Sequence, residues 1–195
     1  MKKIISAVLA AIFVLSFSAC GAGGSENSGA SSDAEQPAVG SALELLQTVW
    51  NSYADDEKFS VIGGDASEEN MTTDAPGKFD TADSAALDSM LGFPAGEADK
   101  IDDAASLVHM MNANTFTCGA FHVQDAAALD DVAAAVRENI MNRQWLCGFP
   151  EKLVIVTVGD YVVSFFGAGE IVDAFGEKLA AAYPAVQTVC DEPIA

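Results

Sequence analysis

The chain has 195 residues and a formal net charge of −20, with twenty-nine Asp and Glu against nine Lys and Arg. A phosphate backbone or an anionic lipid surface repels such a chain, so nucleic acid is excluded as a partner and any membrane attachment has to be covalent or mediated by another protein. Half of the residues are hydrophobic, but Ala-rich runs supply much of that share, so the core has to come from a few Val, Leu, Ile and Phe clusters.

Lys2 and Lys3 form a basic start, and residues 4–17 form an apolar run too short for a permanent membrane span, which together describe a secretory signal over 1–19. The run ends in Phe17-Ser18-Ala19-Cys20-Gly21. This resembles the lipobox of bacterial lipoproteins, in which small residues precede a Cys that is acylated and becomes the new N-terminus. Phe17 departs from the Leu usual at that place. The resemblance implies lipidation at Cys20, with acyl chains holding the protein to the outer face of a bacterial cell membrane. Removal of the signal leaves 176 residues, with seven Lys and Arg against twenty-nine Asp and Glu, a formal charge of −22. Residues 20–40, rich in Gly, Ser and Ala, contain almost nothing large and apolar to bury, so they read as a flexible, disordered stalk. Residues 41–195 are expected to form one domain.

Leu43, Leu46, Val49, Trp50 and Tyr53 recur at helical spacing and predict a first helix over 42–55. The pattern then dissolves. Between Asp55 and Asp103 lie fourteen carboxylates and three lysines, broken by Gly63-Gly64 and Pro76-Gly77, with a short helical pattern only near 82–91. Residues 56–103 read as a long acidic surface excursion closed by Gly92-Phe93-Pro94. Paired acids such as Asp55-Asp56, Glu68-Glu69 and Asp102-Asp103 lack the alternating ligands, central Gly and terminal Glu of a calcium loop, so they read as a solvated face.

Two strands are expected over 105–111 and 115–123, joined by Asn112-Ala113-Asn114. A three-residue loop would pair Met110 with Phe116 and Val108 with Cys118, placing Val108, Met110, Phe116, Cys118 and Ala120 on one face. A long helix follows over 125–145, with Leu129, Val132, Val136 and Ile140 in an apolar stripe beside Ala133, Asp125 as N-cap, and Gly148 and Pro150 as stop signals. Strands over 152–158 and 161–167 flank Gly159-Asp160, a tight-hairpin signal that opposes Val158 to Tyr161, Val156 to Val163 and Val154 to Phe165. That face is expected to meet the stripe of the long helix. A closing helix over 170–183 carries Ile171, Phe175 and Leu179 and stops at Pro184. The order is α-ββα-ββα, an α+β fold with a small antiparallel sheet packed on helices.

Met110-Met111-Asn112, the amphipathic helix with its Arg, Phe149-Pro150, the run Val156-Thr157-Val158-Gly159-Asp160-Tyr161 and the final helix together resemble the uncharacterised Gram-positive lipoproteins of domain-of-unknown-function family 4358. The likeness spans residues 43–183. It implies an exported, lipid-anchored domain without an established activity and transfers no functional residues.

Among chemical motifs there is no Gly-x-Ser-x-Gly elbow, His-Glu-x-x-His, Cys-x-x-Cys or phosphate-binding Gly loop, and His109 and His122 are the only imidazoles. No cofactor is expected. His109-Met110-Met111 has ligands that suit copper, but strand alternation sends neighbours to opposite faces. Cys118 reads as a small core residue. Cys147 closes the long helix, and the tail carrying Cys190, at about 3.3 Å per extended residue, can run back toward it. A Cys147 to Cys190 bridge would add about 2–4 kcal/mol. The function expected is that of a tethered, non-enzymatic binding or accessory module. Its partner surface is drawn over Asp99, Asp102 and Asp103 and the sheet face with Thr157, Val162 and Ser164, and an anionic surface of this kind favours a cationic protein or solute. The alternative is an extracytoplasmic enzyme, or an enzyme accessory, with a site dispersed through the fold.

Overall fold

Short apolar runs with period-two alternation form the middle of the domain, and helices with one apolar stripe cover it. The computed structural model describes residues 39–146 and 148–194. The strands are β1 (Val61–Gly63), β2 (Thr72–Thr73), β3 (Gly77–Phe79), β4 (Ile101–His109), β5 (Phe116–Val123), β6 (Lys152–Val158), β7 (Tyr161–Gly167) and β8 (Gln187–Pro193). The helices are α1 (Ala42–Asn51), the short α2 (Ser84–Ala86) running into a π-helical turn at Leu87–Leu91, α3 (Leu129–Met141) and α4 (Gly169–Ala182). The expected α+β class holds, but the sheet is larger than expected: eight antiparallel strands in the order β2-β1-β4-β5-β7-β6-β8, with β3 also paired to β4. No helix among the described residues is long and apolar enough to cross a membrane.

The β6–β7 hairpin has the expected register, Val158 with Tyr161, Val156 with Val163 and Val154 with Phe165. Gly159 supplies the positive φ of 57° that a two-residue turn of this hand requires. The β4–β5 pair is shifted by one: Leu107 opposes Cys118 and Val108 opposes Thr117. The loop is longer than three residues, and a 3-10 turn at Ala113–Thr115, capped by the Asn112 side chain, lies inside it. Because side chains alternate, this slip sends Ala105 and Leu107, not Val108 and Met110, to the face of Phe116, Cys118 and Ala120.

One face of the sheet is covered by α1 and α4. Leu45, Leu46, Val49, Phe175 and Leu179 bury against Val154, Val156, Val163 and Phe165. Ser41 caps α1 by accepting from the Glu44 amide, and Asp103 Oδ2 accepts from the Ala42 amide at 2.6 Å. The long helix therefore does not meet the face expected of it. Its stripe of Val132, Ala133, Val136 and Ile140 packs on the opposite face, over Leu153, Ile155, Val162 and Phe166. Both faces of β6 and β7 are apolar, so alternation alone leaves the choice of helix open. Asp125 caps a 3-10 turn that leads into α3, and α3 ends at Met141, leaving Arg143 and Trp145 in the following loop.

The acidic excursion is a structural layer and not a surface loop. It contributes β1, β2 and β3 to the sheet edge, and Phe79, Leu87, Leu91 and Phe93 to the core beneath α3. Its backbone crosses itself at two glycines. A Cβ on Gly63 would sit 2.1 Å from the Gly77 amide nitrogen, and one on Gly77 would sit 2.4 Å from that of Gly64.

Candidate functional site

Where the excursion covers the sheet it leaves a cavity of about 430 Å³. Seven separate stretches build it: the β1 end at Ile62–Asp65, Met71, the π-turn with Met90, Val108 on β4, Thr117 on β5, the loop after α3 with Arg143 and Trp145, and Phe166 on β7. The volume falls in the range of roughly 300–1,000 Å³ typical of small-molecule sites, and thioether, aromatic and aliphatic walls with a few polar groups are the usual composition of such sites.

The polar groups are held from outside the cavity. Ser106, wholly buried, accepts from the Gly64 amide at 2.8 Å and donates to the Gly64 carbonyl at 2.9 Å, pinning the β1 end to β4. The buried Asp65 carboxylate accepts from the Ser67 amide, the Asn70 side-chain amide at 2.7 Å and the Asp80 amide at 3.0 Å. Burial pushes this carboxyl up, and the hydrogen bonds outweigh it and hold the group down at about 2. Arg143 donates from Nη2 to the Asp88 backbone carbonyl, lies 3.5 Å from the Asp88 carboxylate and stands over the Trp145 ring at 5.6 Å. The Trp145 indole nitrogen is buried and has no hydrogen-bond partner among the described residues. Asn114 donates to the Gly148 carbonyl at 3.0 Å, tying the loop after α3 to the β4–β5 loop.

Of the six exposed large apolar side chains among the described residues, Val189 is on β8 and the other five lie in the lining or close to it in sequence. Met71 is in the lining itself; Leu146, 89% exposed, follows Trp145; Met111, 82% exposed, and Met110 lead into Ala113 and Asn114; Phe149, 77% exposed, lies beside Gly148.

The residues expected to form a partner surface are scattered. Thr157, Val162 and Ser164 are 8%, 0% and 1% exposed, because α3 and the excursion cover their face, so they offer no docking surface. Asp103 is half buried and engaged at the α1 N-terminus. Asp102 pairs with His122 Nδ1 at 2.5 Å, and Asp99 is exposed. His109 stacks on Phe59, and its Nδ1 accepts from the Met111 and Asn112 amides at 3.3 Å, so it organises the β4–β5 loop. Cys118 is buried, which pushes its thiol up. Cys190 sits on β8 as a free thiol, pushed to about 11 by burial and by Glu192. Its expected partner Cys147 lies outside the described residues, as do the signal at 1–19, Cys20 and residues 20–38 of the stalk.

Met71, Met90, Arg143 and Trp145 escape a motif search because no local spacing links them. The visible trace is chemical: Trp145, Leu146 and Phe149 are large apolar residues in a Gly and Pro loop where polar ones are the rule. Compared with known protein families, curated proteins and solved structures, the chain gives no match in any of the three.

Proposed function

We propose that the chain is an exported lipoprotein, held on the outer face of the bacterial cell membrane by acyl chains on Cys20, that binds a ligand and performs no chemistry of its own. In this reading it belongs with the Gram-positive lipoproteins of family 4358 that its layout resembles. The observation that carries the binding role is the cavity under the excursion, with its apolar walls and its few convergent polar groups. The charge of the chain and the exposed Asp99 and Asp102 leave its outer surface suited to a cationic partner as well.

The binding role is tested with a neutral solvatochromic dye added to the domain over residues 41–195. Saturable binding that Met90→Trp abolishes by filling the cavity is the expected result; binding that Met90→Trp leaves unchanged places the site elsewhere. The anchor is tested separately. Cys20→Ala should remove incorporation of a fatty-acid probe and leave the precursor uncleaved, and normal labelling of that variant ends the lipoprotein reading.

A further inference from the structure

The geometry points to a long-chain monocarboxylate as the occupant of the cavity, with its carboxylate on Arg143 and its apolar chain against Met71, Met90, Trp145 and Phe166. This assignment rests on the cavity being the binding site. Arg143 is the only Lys or Arg among the described residues that line it. Its Nη2 is occupied by Asp88, whereas Nε and Nη1 have no hydrogen-bond partner among the described residues. Asp88 is itself shared, since its Oδ1 accepts from Asn139 at 2.9 Å. Nη2 carries a second N–H, which with Nε or with Nη1 forms a planar edge that matches a planar carboxylate with two parallel hydrogen bonds.

Asp65, the only carboxylate among the described residues that line the cavity, does not compete for a cationic head. Three internal donors already engage the oxygens of Asp65. The surroundings also select the charge of the ligand: with Asp65 and Asp88 near and a formal charge of −20 on the chain, a dianionic phosphate meets about twice the repulsion of a monoanion. Most of the rest of the lining is thioether, aromatic and aliphatic, with Ser89, Asn114 and Thr117 as its other polar side chains. Each methylene of an alkyl chain buried there adds about fourfold to affinity.

The test uses the full chain on intact membranes and two photoreactive alkyl diazirine probes of equal length, one a carboxylate and one an alcohol. Cross-links should map to peptides carrying Met71, Met90 or Trp145. Dodecanoate, kept below its micelle concentration, should compete at least about tenfold better than dodecan-1-ol, the difference expected for charge-assisted hydrogen bonds to the head. Arg143→Gln should reduce that preference to about twofold or less, and Arg143→Lys should keep part of it. Because Arg143 also holds the Asp88 carbonyl, each variant is compared by thermal melting, and the wild-type preference stands as a measurement independent of any variant. Equal competition by acid and alcohol, or better competition by dodecylamine, overturns the carboxylate assignment while leaving the cavity as a binding site. Cross-links that avoid the cavity with both probes overturn the binding reading and this assignment with it.

Discussion

The two faces of the sheet are covered by different kinds of chain, and only one of them is covered by helices alone. On the first face α1 and α4 lay continuous apolar stripes over β4, β5, β6 and β7, and Phe175 meets Phe116 and Phe165 with ring centroids 5.2 Å and 5.0 Å away. The recess left on that face lies between α4 and β8 and is fringed by Asp173, Glu177 and Asp191. On the second face α3 covers one part, and short strands and a π-turn cover the rest, leaving the apolar cavity where they meet. A helix presents one regular surface to the sheet, whereas an irregular layer is fixed by its own hydrogen bonds and leaves space where these dictate. The largest expected effect follows on the helical face. Phe175→Ala removes a wholly buried ring and should cost about 3–5 kcal/mol, seen as a lower urea midpoint with an unchanged slope. A loss below about 1 kcal/mol would mean that this face is not the tightly packed one.

The excursion depends instead on close backbone contact. Gly77→Ala would place a methyl group 2.4 Å from the Gly64 nitrogen and 2.5 Å from the Gly63 carbonyl carbon, where no side chain can rotate away. A cost of about 3 kcal/mol is expected, at the upper end for overpacking, together with loss of dye binding because Gly63 and Gly64 border the cavity. Full retention of both stability and binding in this variant would show that the excursion is not fixed by that crossing.

How far these features were legible from residues alone depends on how local their causes are. The β6–β7 register was legible because Gly159-Asp160 sets it within two residues, and the α3 stripe because Val132, Val136 and Ile140 repeat every turn. The β4–β5 register was not: Asn112-Ala113-Asn114 reads as a three-residue turn, whereas the Asn112 cap and the His109 ring close a longer loop. Strands of two or three residues such as β2 and β3 are too short to show a period. The side of the sheet taken by α3 was hidden by Ile155 and Val162, which make the second face nearly as apolar as the first. The cavity was hidden more deeply. Met90 and Arg143 meet only after the π-turn and the α3 exit have been placed, and that placement rests on a long-range contact from Arg143 to Asp88.

The hydrogen bonds that fix the excursion give its stability a pH signature. Asp65 has a folded value of about 2, against roughly 3.9 in an unfolded chain, so it contributes about 2 kcal/mol. Its folded value is depressed, so the contribution is fully present above about pH 4 and is lost as pH falls through about 2. Asp65→Asn should remove it at neutral pH, because an amide N–H then faces the donors from Ser67, Asn70 or Asp80. The stability difference between wild type and variant, followed by urea titration from pH 6 downward, should shrink toward zero near pH 2. A difference that stays constant across that range would detach Asp65 from the acid sensitivity of the layer.

Met90 gives the smallest effect and the most direct contrast with Phe175. It is half buried on the π-turn, and one side of it already faces the cavity, so truncation removes fewer contacts than in a packed core. Met90→Ala should therefore cost only about 1 kcal/mol, well under the 2–5 kcal/mol usual for a fully packed Met. The same change enlarges the cavity and removes a thioether wall, so affinity for a neutral dye should fall by about threefold to tenfold while the fold melts almost normally. If Met90→Ala instead destabilises the domain as much as Phe175→Ala, the space beside it is closed in solution, and the two faces are packed alike.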